Sequence, residues 1–305
     1  MTVSDSVGSA AGIPIQMHAA LLRNLHEPLV FEGLTTREYE GDISQAGDAV
    51  SIITTSQGTI SNYVRGTPVS AQSLVLSRQQ LVISQQKSFA LEANDLDVKQ
   101  VKPDFWDEQM SEAGYLLRET RDAYIAGVMK AGVAAGNDLG TFSIGTGAGD
   151  ADMFELLARL ATVLDDTKTP AAGNSPSMDA DSGPGGGFRF VVLPPFACEM
   201  LVIDPRKSSF GTTDNLKTYG ERYIGRSVAG LEIFKSLNCP VGDTGATYRD
   251  VIAGWSKATA FASQLVEFKT QDKQLDFAKY YLGLDVYGAK VIRAEQLATA
   301  EIVRA

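Results

Sequence analysis

The stretch Val50–Leu91 constrains this chain more than any other: it alternates like β-strand yet carries too many polar residues for an ordinary core. It opens with the β-branched run Val50-Ser-Ile-Ile-Thr-Thr55, breaks at Gly58, and passes Ile60 and Tyr63 to a turn-like segment, Arg65-Gly-Thr-Pro-Val69. It returns from Leu74 to Leu91 with apolar residues two apart at Leu74 and Leu76, Leu81 and Ile83, and Phe89 and Leu91, which is strand periodicity. Outgoing arm, Gly-Thr-Pro turn and returning arm read as a β-hairpin. Extended throughout, the return arm alone reaches about 60 Å, whereas a compact chain of this length is about 50 Å across. Gln79, Gln80, Gln85, Gln86 and Lys87 also keep one face polar. Two readings follow. The stretch is either two short strands of an ordinary sandwich, or an arm lying on a neighbouring subunit, where strand edges and alternate apolar side chains find partners.

Composition bounds the rest. A chain of 305 residues with 44% hydrophobic content builds one large domain or two modest ones with ample core. The net charge is −10 and no Lys/Arg cluster stands out, which argues against tight nucleic-acid binding through phosphate neutralisation. Cys198 and Cys239 make no disulfide framework and suit a reducing cytoplasm. The first ten residues are small and polar without a basic region, so no signal peptide is expected. No apolar run approaches the roughly 20 residues of a membrane helix.

In chain order, residues 1–12 read as flexible, and Met17, Leu21, Leu22 and Leu25 as a short amphipathic helix. The two histidines, His18 and His26, are too far apart to chelate one metal. Pro103 suits a first helical position, with Asp104, Asp107 and Glu108 favoured by the macrodipole in the first turn. Phe105, Trp106, Met110, Ala113, Leu117, Tyr124 and Val128 then form an apolar stripe to about Lys130, a helix about 40 Å long whose Trp106, Met110 and Leu117 are expected to face their own sheet. A second helix carries Met153, Leu156, Leu157, Leu160 and Leu164. Phe188–Leu193 reads as a strand, Pro194-Pro195 as the start of a helix, and Tyr223–Ser236 as two short strands around Gly230. The tail after Lys257 alternates again. Thr167–Gly187 is irregular, and its Asp179 and Asp181 lack the other ligands of a calcium loop. Its centre, Asn174–Gly186, is expected to be a solvated segment dispensable for folding.

One motif points towards enzymology, Gly145-Thr-Gly-Ala-Gly149. A dinucleotide fingerprint needs its third glycine one place later, where Asp150 stands, and an acid at the end of the next strand. Asp150 and Asp152 also bring negative charge to the helix N-terminus where a phosphate would sit. A nucleotide-binding enzyme stays one alternative. There is no G-x-S-x-G elbow, Walker loop, H-E-x-x-H or C-x-x-C, so no catalytic, cofactor-binding or metal residue is assigned and a structural protein is expected.

The order of parts carries a resemblance. It runs from Met17-His-Ala-Ala-Leu-Leu22 through Arg37-Glu-Tyr-Glu-Gly-Asp42 and Gly47-Asp-Ala-Val-Ser-Ile52 to the long hairpin and long helix. Phe190-Val-Val-Leu-Pro-Pro195, Ile224–Phe234, Asn238-Cys-Pro240 and Tyr287-Gly-Ala-Lys-Val-Ile292 follow. Over nearly its whole length the chain resembles the tailed-bacteriophage major capsid proteins, whose fold encapsulin shells share. The resemblance implies an α+β fold with an N-terminal arm at 1–40 and an extended hairpin, the E-loop, at 41–92. It implies a peripheral (P) domain at 93–193 and 257–305 with a spine helix at 103–130, and an axial (A) domain at 194–256. The implied function is an icosahedral head shell of hexamers and pentamers enclosing double-stranded DNA; an encapsulin-type compartment is the alternative. The implied partners are further copies of the chain, scaffolding and portal proteins, and DNA enclosed without sequence-specific binding, with no membrane. Assembly would occur in the host cytoplasm. Intersubunit contacts are expected at Arg65, Thr67, Pro68, Leu74, Leu76, Leu81 and Ile83 of the hairpin and at Met17 and Leu21 of the arm. No coiled-coil segment precedes the arm and the turn Arg65–Ser73 has no lysine, so neither a fused scaffolding domain nor the family's lysine–asparagine cross-link is expected.

Overall fold

A computed structural model describes residues 29–38, 49–55, 60, 62, 65–66, 73, 76–94, 104–145, 150–167, 188–203, 223–226, 230–273 and 277–305. The strands are β1 (Ala49–Thr55), β2 (Leu76–Val82), β3 (Gln85–Asn94), β4 (Asp138–Ile144), β5 (Arg189–Leu193) and β6 (Tyr223–Arg226). They continue with β7 (Glu232–Lys235), β8 (Arg249–Trp255), β9 (Thr259–Asp272), β10 (Ala278–Val291) and β11 (Leu297–Arg304). The helices are α1 (Asp104–Ala131), α2 (Met153–Asp166) and α3 (Pro195–Ile203), with a 3₁₀ turn at Phe31–Leu34. This is the α+β content expected, and α1, α2, β5, α3 and the two strands flanking Gly230 fall where the sequence placed them. Gly230 has φ +77°, a left-handed conformation that glycine adopts without strain.

The body is a six-stranded sheet ordered β4-β11-β8-β5-β7-β6. Its central strands are buried on both faces, and the period of two sorts them. Val191, Leu193, Val251, Ala253, Trp255, Ala298, Ala300 and Ile302 point to one core, closed by Leu156, Leu157, Leu160 and Leu164 of α2 and by Ala197 and Leu201 of α3. Phe190, Val192, Ile252 and Leu297 point to the other, closed by Ile125, Ala126 and Met129 of α1 and by Val30, Phe31 and Leu34. Cys198 and Cys239 lie buried and unpaired in these two different cores. Burial pushes the Cys198 thiol up to about 12. Since β4, β5 and β11 share this sheet with β6, β7 and β8, the segments 93–193 and 257–305 share one sheet with 194–256.

A second sheet, β3-β10-β9, is dominated by the long β9–β10 ribbon. One face of the ribbon sends Phe261 and Tyr287 to the core of α1. The other sends Ala260, Ala262 and Val286 to a small cluster with Ile52, Leu81 and Ile83.

Two expectations are corrected here. Leu74–Leu91 is not one continuous return arm. The chain leaves β2 at Ile83–Ser84 and continues as β3, which pairs with β10 from Gln85↔Tyr287 to Asn94↔Ala278. The hairpin proper is β1–β2, registered from Ala49↔Val82 to Thr55↔Leu76, and seven residues of β2 span only about 23 Å. The stripe of α1 is also displaced. Over its second half the buried positions are Asp122, Ile125, Ala126 and Met129, spaced i, i+3, i+4, i+7, while Tyr124, Val128 and, earlier, Leu117 are only half-buried. A carboxylate in the stripe hid it from a reading that followed apolar residues.

Candidate assembly surfaces

The hairpin has two unlike faces, set by strand alternation. On the inner face Ile52 and Leu81 are buried against Ala260, Ala262 and Val286 of the same chain, and Gln79 Nε2 donates to the Ile292 carbonyl at 3.3 Å. A Cβ on Gly288 would collide with the carbonyl of Val82, so β10 passes directly under the end of β2. On the outer face Ile53 is 56% exposed, Leu76 58% and Val82 45%, and beyond the strands Ile60 is 98% exposed. Large apolar side chains held in water on one ribbon face make it a candidate interaction surface.

The expected contact residues therefore divide. Leu81 and Ile83, fully buried and 3% exposed, are core residues of their own chain, because the odd positions of β2 face β9 and β10. Leu76 lies on the outer face, and Arg65 is exposed beside Gly66, whose φ is +93°. Thr67, Pro68, Leu74, Met17 and Leu21 lie outside the described residues, as do His18, His26 and the loop 168–187. Ile53 and Val82 join Leu76 on the exposed face, and the pairs Ile52-Ile53 and Leu81-Val82 carried the signal in sequence, since one member of each had to face outward.

Polar contacts join the long helix to its surroundings. Arg121 clamps the fully buried Asp285 of β10 through Nε and Nη2 and lies 3.8 Å from Glu32. Its guanidinium stands 6.0 Å from the centroid of the Tyr287 ring, a favourable cation–π separation. One residue on, Asp122 accepts from the Glu32 N–H at 3.2 Å and from Asn238 Nδ2 at 3.1 Å. Burial raises its pKa above the ordinary value, opposed by Asn238 and by the N–H groups of Glu32, Val30 and Phe31. Further along α1, Lys130 bridges Asp250 at 2.6 Å, Asp243 at 2.8 Å and the Val241 carbonyl at 2.9 Å. Across the same loop Glu301 receives the N–H groups of Asp243 and Thr244 and the hydroxyls of Thr244 and Thr141.

Among the described residues no group of three His, Cys, Asp or Glu side chains is placed to hold a metal ion, and no helix is long and apolar enough to cross a membrane. At the glycine-rich motif, Gly145 follows β4 with its Cβ position filled by the Asp150 carboxylate and Ala305; residues 146–149 lie outside the description. A carboxylate at that spot disfavours a phosphate there.

No protein-family model matches the chain, and no curated protein does. Solved structures match over nearly its whole length. A protein of Mycobacterium phage Che8 aligns over 98% of both chains with a TM-score of 0.68 and 21% identity. The capsid of cyanophage P-SCSP1u aligns over 100% of this chain and 92% of its own, with a TM-score of 0.65 and 15% identity. The holo-SrpI encapsulin complex of Synechococcus elongatus PCC 7942 aligns over 75% of this chain and 77% of its own, with a TM-score of 0.51 and 12% identity. At these identities the likeness is one of fold: the chain has the fold shared by tailed-phage capsid proteins and encapsulins.

Proposed function

We propose that the chain is a major capsid protein whose copies assemble, through hexamers and pentamers, into an icosahedral phage head around double-stranded DNA. The observation that carries this is end-to-end correspondence with phage capsid structures, 98–100% of this chain in the Ralstonia phage GP4, bacteriophage PhiM1 and cyanophage P-SCSP1u structures. The encapsulin covers 75%, which favours the phage head over a cargo compartment. The hairpin, residues 49–82, serves as the E-loop. Its inner face anchors on its own ribbon, while Ile53, Ile60, Leu76 and Val82, with Arg65, Thr67, Pro68 and Leu74 nearer the turn, meet a neighbour. Met17 and Leu21 make a second contact through the N-terminal arm. Helix α1 is the spine of the P-domain, and 194–256 supplies the loops at hexamer and pentamer centres. Scaffolding and portal proteins are the further partners, and assembly takes place in the host cytoplasm. A chain of net charge −10 would not condense onto the genome it encloses.

Electron microscopy of the purified protein tests this directly, with hollow shells of uniform diameter as the expected result. Replacing residues 56–75 by a short Gly-Ser link, which spares the buried root, should leave a folded chain that forms no shells. Full assembly of that variant would remove the hairpin from the contact. Shells that enclose a partner enzyme and never DNA would identify a compartment instead.

A further inference from the structure

We infer that Asp122 is a latch that couples the root of the N-terminal arm to the 236–240 loop, so that loss of the donors that one segment gives its carboxylate weakens its hold on the other segment. The 3₁₀ turn Phe31–Leu34 begins at Val30, whose side chain offers no cap. The acceptor for its first N–H groups comes from Asp122, 90 positions along the chain. The other oxygen of the same carboxylate takes Asn238 Nδ2. Asn238 is fixed in turn by its N–H on Ser236 Oγ at 3.1 Å, and Cys239 by its Sγ on the Ser236 carbonyl at 3.4 Å. Three segments distant in sequence therefore converge on one fully buried carboxylate. An anion removed from water needs several donors to be tolerated. Removing those of one segment leaves the charge under-satisfied and weakens its hold on the other. Arg121 next to it is engaged with Asp285 and Glu32 and does not substitute. Packing of Val30, Phe31 and Leu34 against Ile125, Ala126 and Met129 holds the turn to the helix, and Cys239 joins the same core, whereas Asn238 is tied to the turn through the carboxylate. The latch thus links the 3₁₀ turn at Phe31–Leu34 to the loop carrying exposed Leu237.

Hydrogen–deuterium exchange on the full-length, unassembled chain tests the coupling. Asn238→Ala, which leaves the arm untouched, should speed exchange in residues 30–34 about tenfold as well as in 236–240, the effect of one under-satisfied buried acceptor. Leu34→Ala, which weakens the packing and spares the carboxylate, should loosen 30–34 far more than 236–240. Acceleration confined to 236–240 in Asn238→Ala would overturn the latch. Equal loosening of 236–240 in Leu34→Ala would assign the coupling to packing and overturn it too. Asp122→Asn, which places a donor among donors, should loosen both segments while strands β8 and β11 exchange as before; protection of 30–34 unchanged in that variant would also overturn it.

Discussion

Replacing Leu81 by alanine separates the two faces of the hairpin. Leu81 is fully buried in the cluster of Ile52, Ile83, Ala260, Ala262 and Val286. The change removes roughly three methylenes, worth about 2.4 kcal/mol of transfer free energy. A residual cavity adds to this at about 24 cal/mol per Å³. The cluster is thin, and half-buried Leu284 and Ile292 flank it, so partial collapse keeps the total near about 3 kcal/mol, in the lower part of the range for buried leucines. Leu76, opposite in facing and 58% exposed, should cost about 0.5 kcal/mol or less. Urea unfolding of the unassembled chain, followed by circular dichroism, measures both, and particle counts by electron microscopy measure assembly. Leu76→Ala should lower shell yield while the chain stays folded, whereas Leu81→Ala should lose stability first. A cost below about 1 kcal/mol at Leu81, or an equal cost at Leu76, would refute the assignment of the inner face to the chain's own core.

Other perturbations follow from the same contacts. Arg121→Met strands the buried Asp285 carboxylate and should cost about 3 kcal/mol, whereas the double change with Asp285→Leu should recover most of it, as unfolding of single and double variants will show. Gly288→Ala should destabilise the chain more than Gly283→Ala in thermal unfolding, because the first Cβ meets the Val82 backbone and the second meets the Phe89 ring, which can turn aside. Glu301 titrates below its ordinary 4.5: burial would raise it, but the hydrogen bonds from Thr244, Asp243 and Thr141 outweigh burial. With the folded value depressed, its contribution is complete above 4.5 and is lost as pH falls through that lower folded value. The Tm gap between the native chain and Glu301→Gln should therefore narrow on acidification, and a constant or widening gap would contradict the network.

Local periodicity was enough to place the long helix after Pro103, the Leu156–Leu164 stripe, the strand at Phe190–Leu193 and the paired strands around Gly230. In each, the spacing of side chains follows from backbone geometry alone, 3.6 per turn or two per pleat. The same periodicity misled at residues 74–91. Leu81, Ile83, Phe89 and Leu91 stay in phase across Ser84, so nothing in the spacing marks the point where the chain leaves β1 for β10. That choice depends on a strand about 190 residues further on, and strand partners at such separation are picked by packing of the finished sheet. The α1 stripe failed for a related reason. Asp122 and Asp285 look like surface residues until their partners are known, and those partners, Glu32, Asn238 and Arg121, lie 90, 116 and 164 positions away. Sequence sufficed for which segments are helix and which are strand, and for an extended hairpin. Only the tertiary structure decided which hairpin face is buried in the chain itself and which is left exposed, because burial of a side chain depends on what the rest of the fold brings against it.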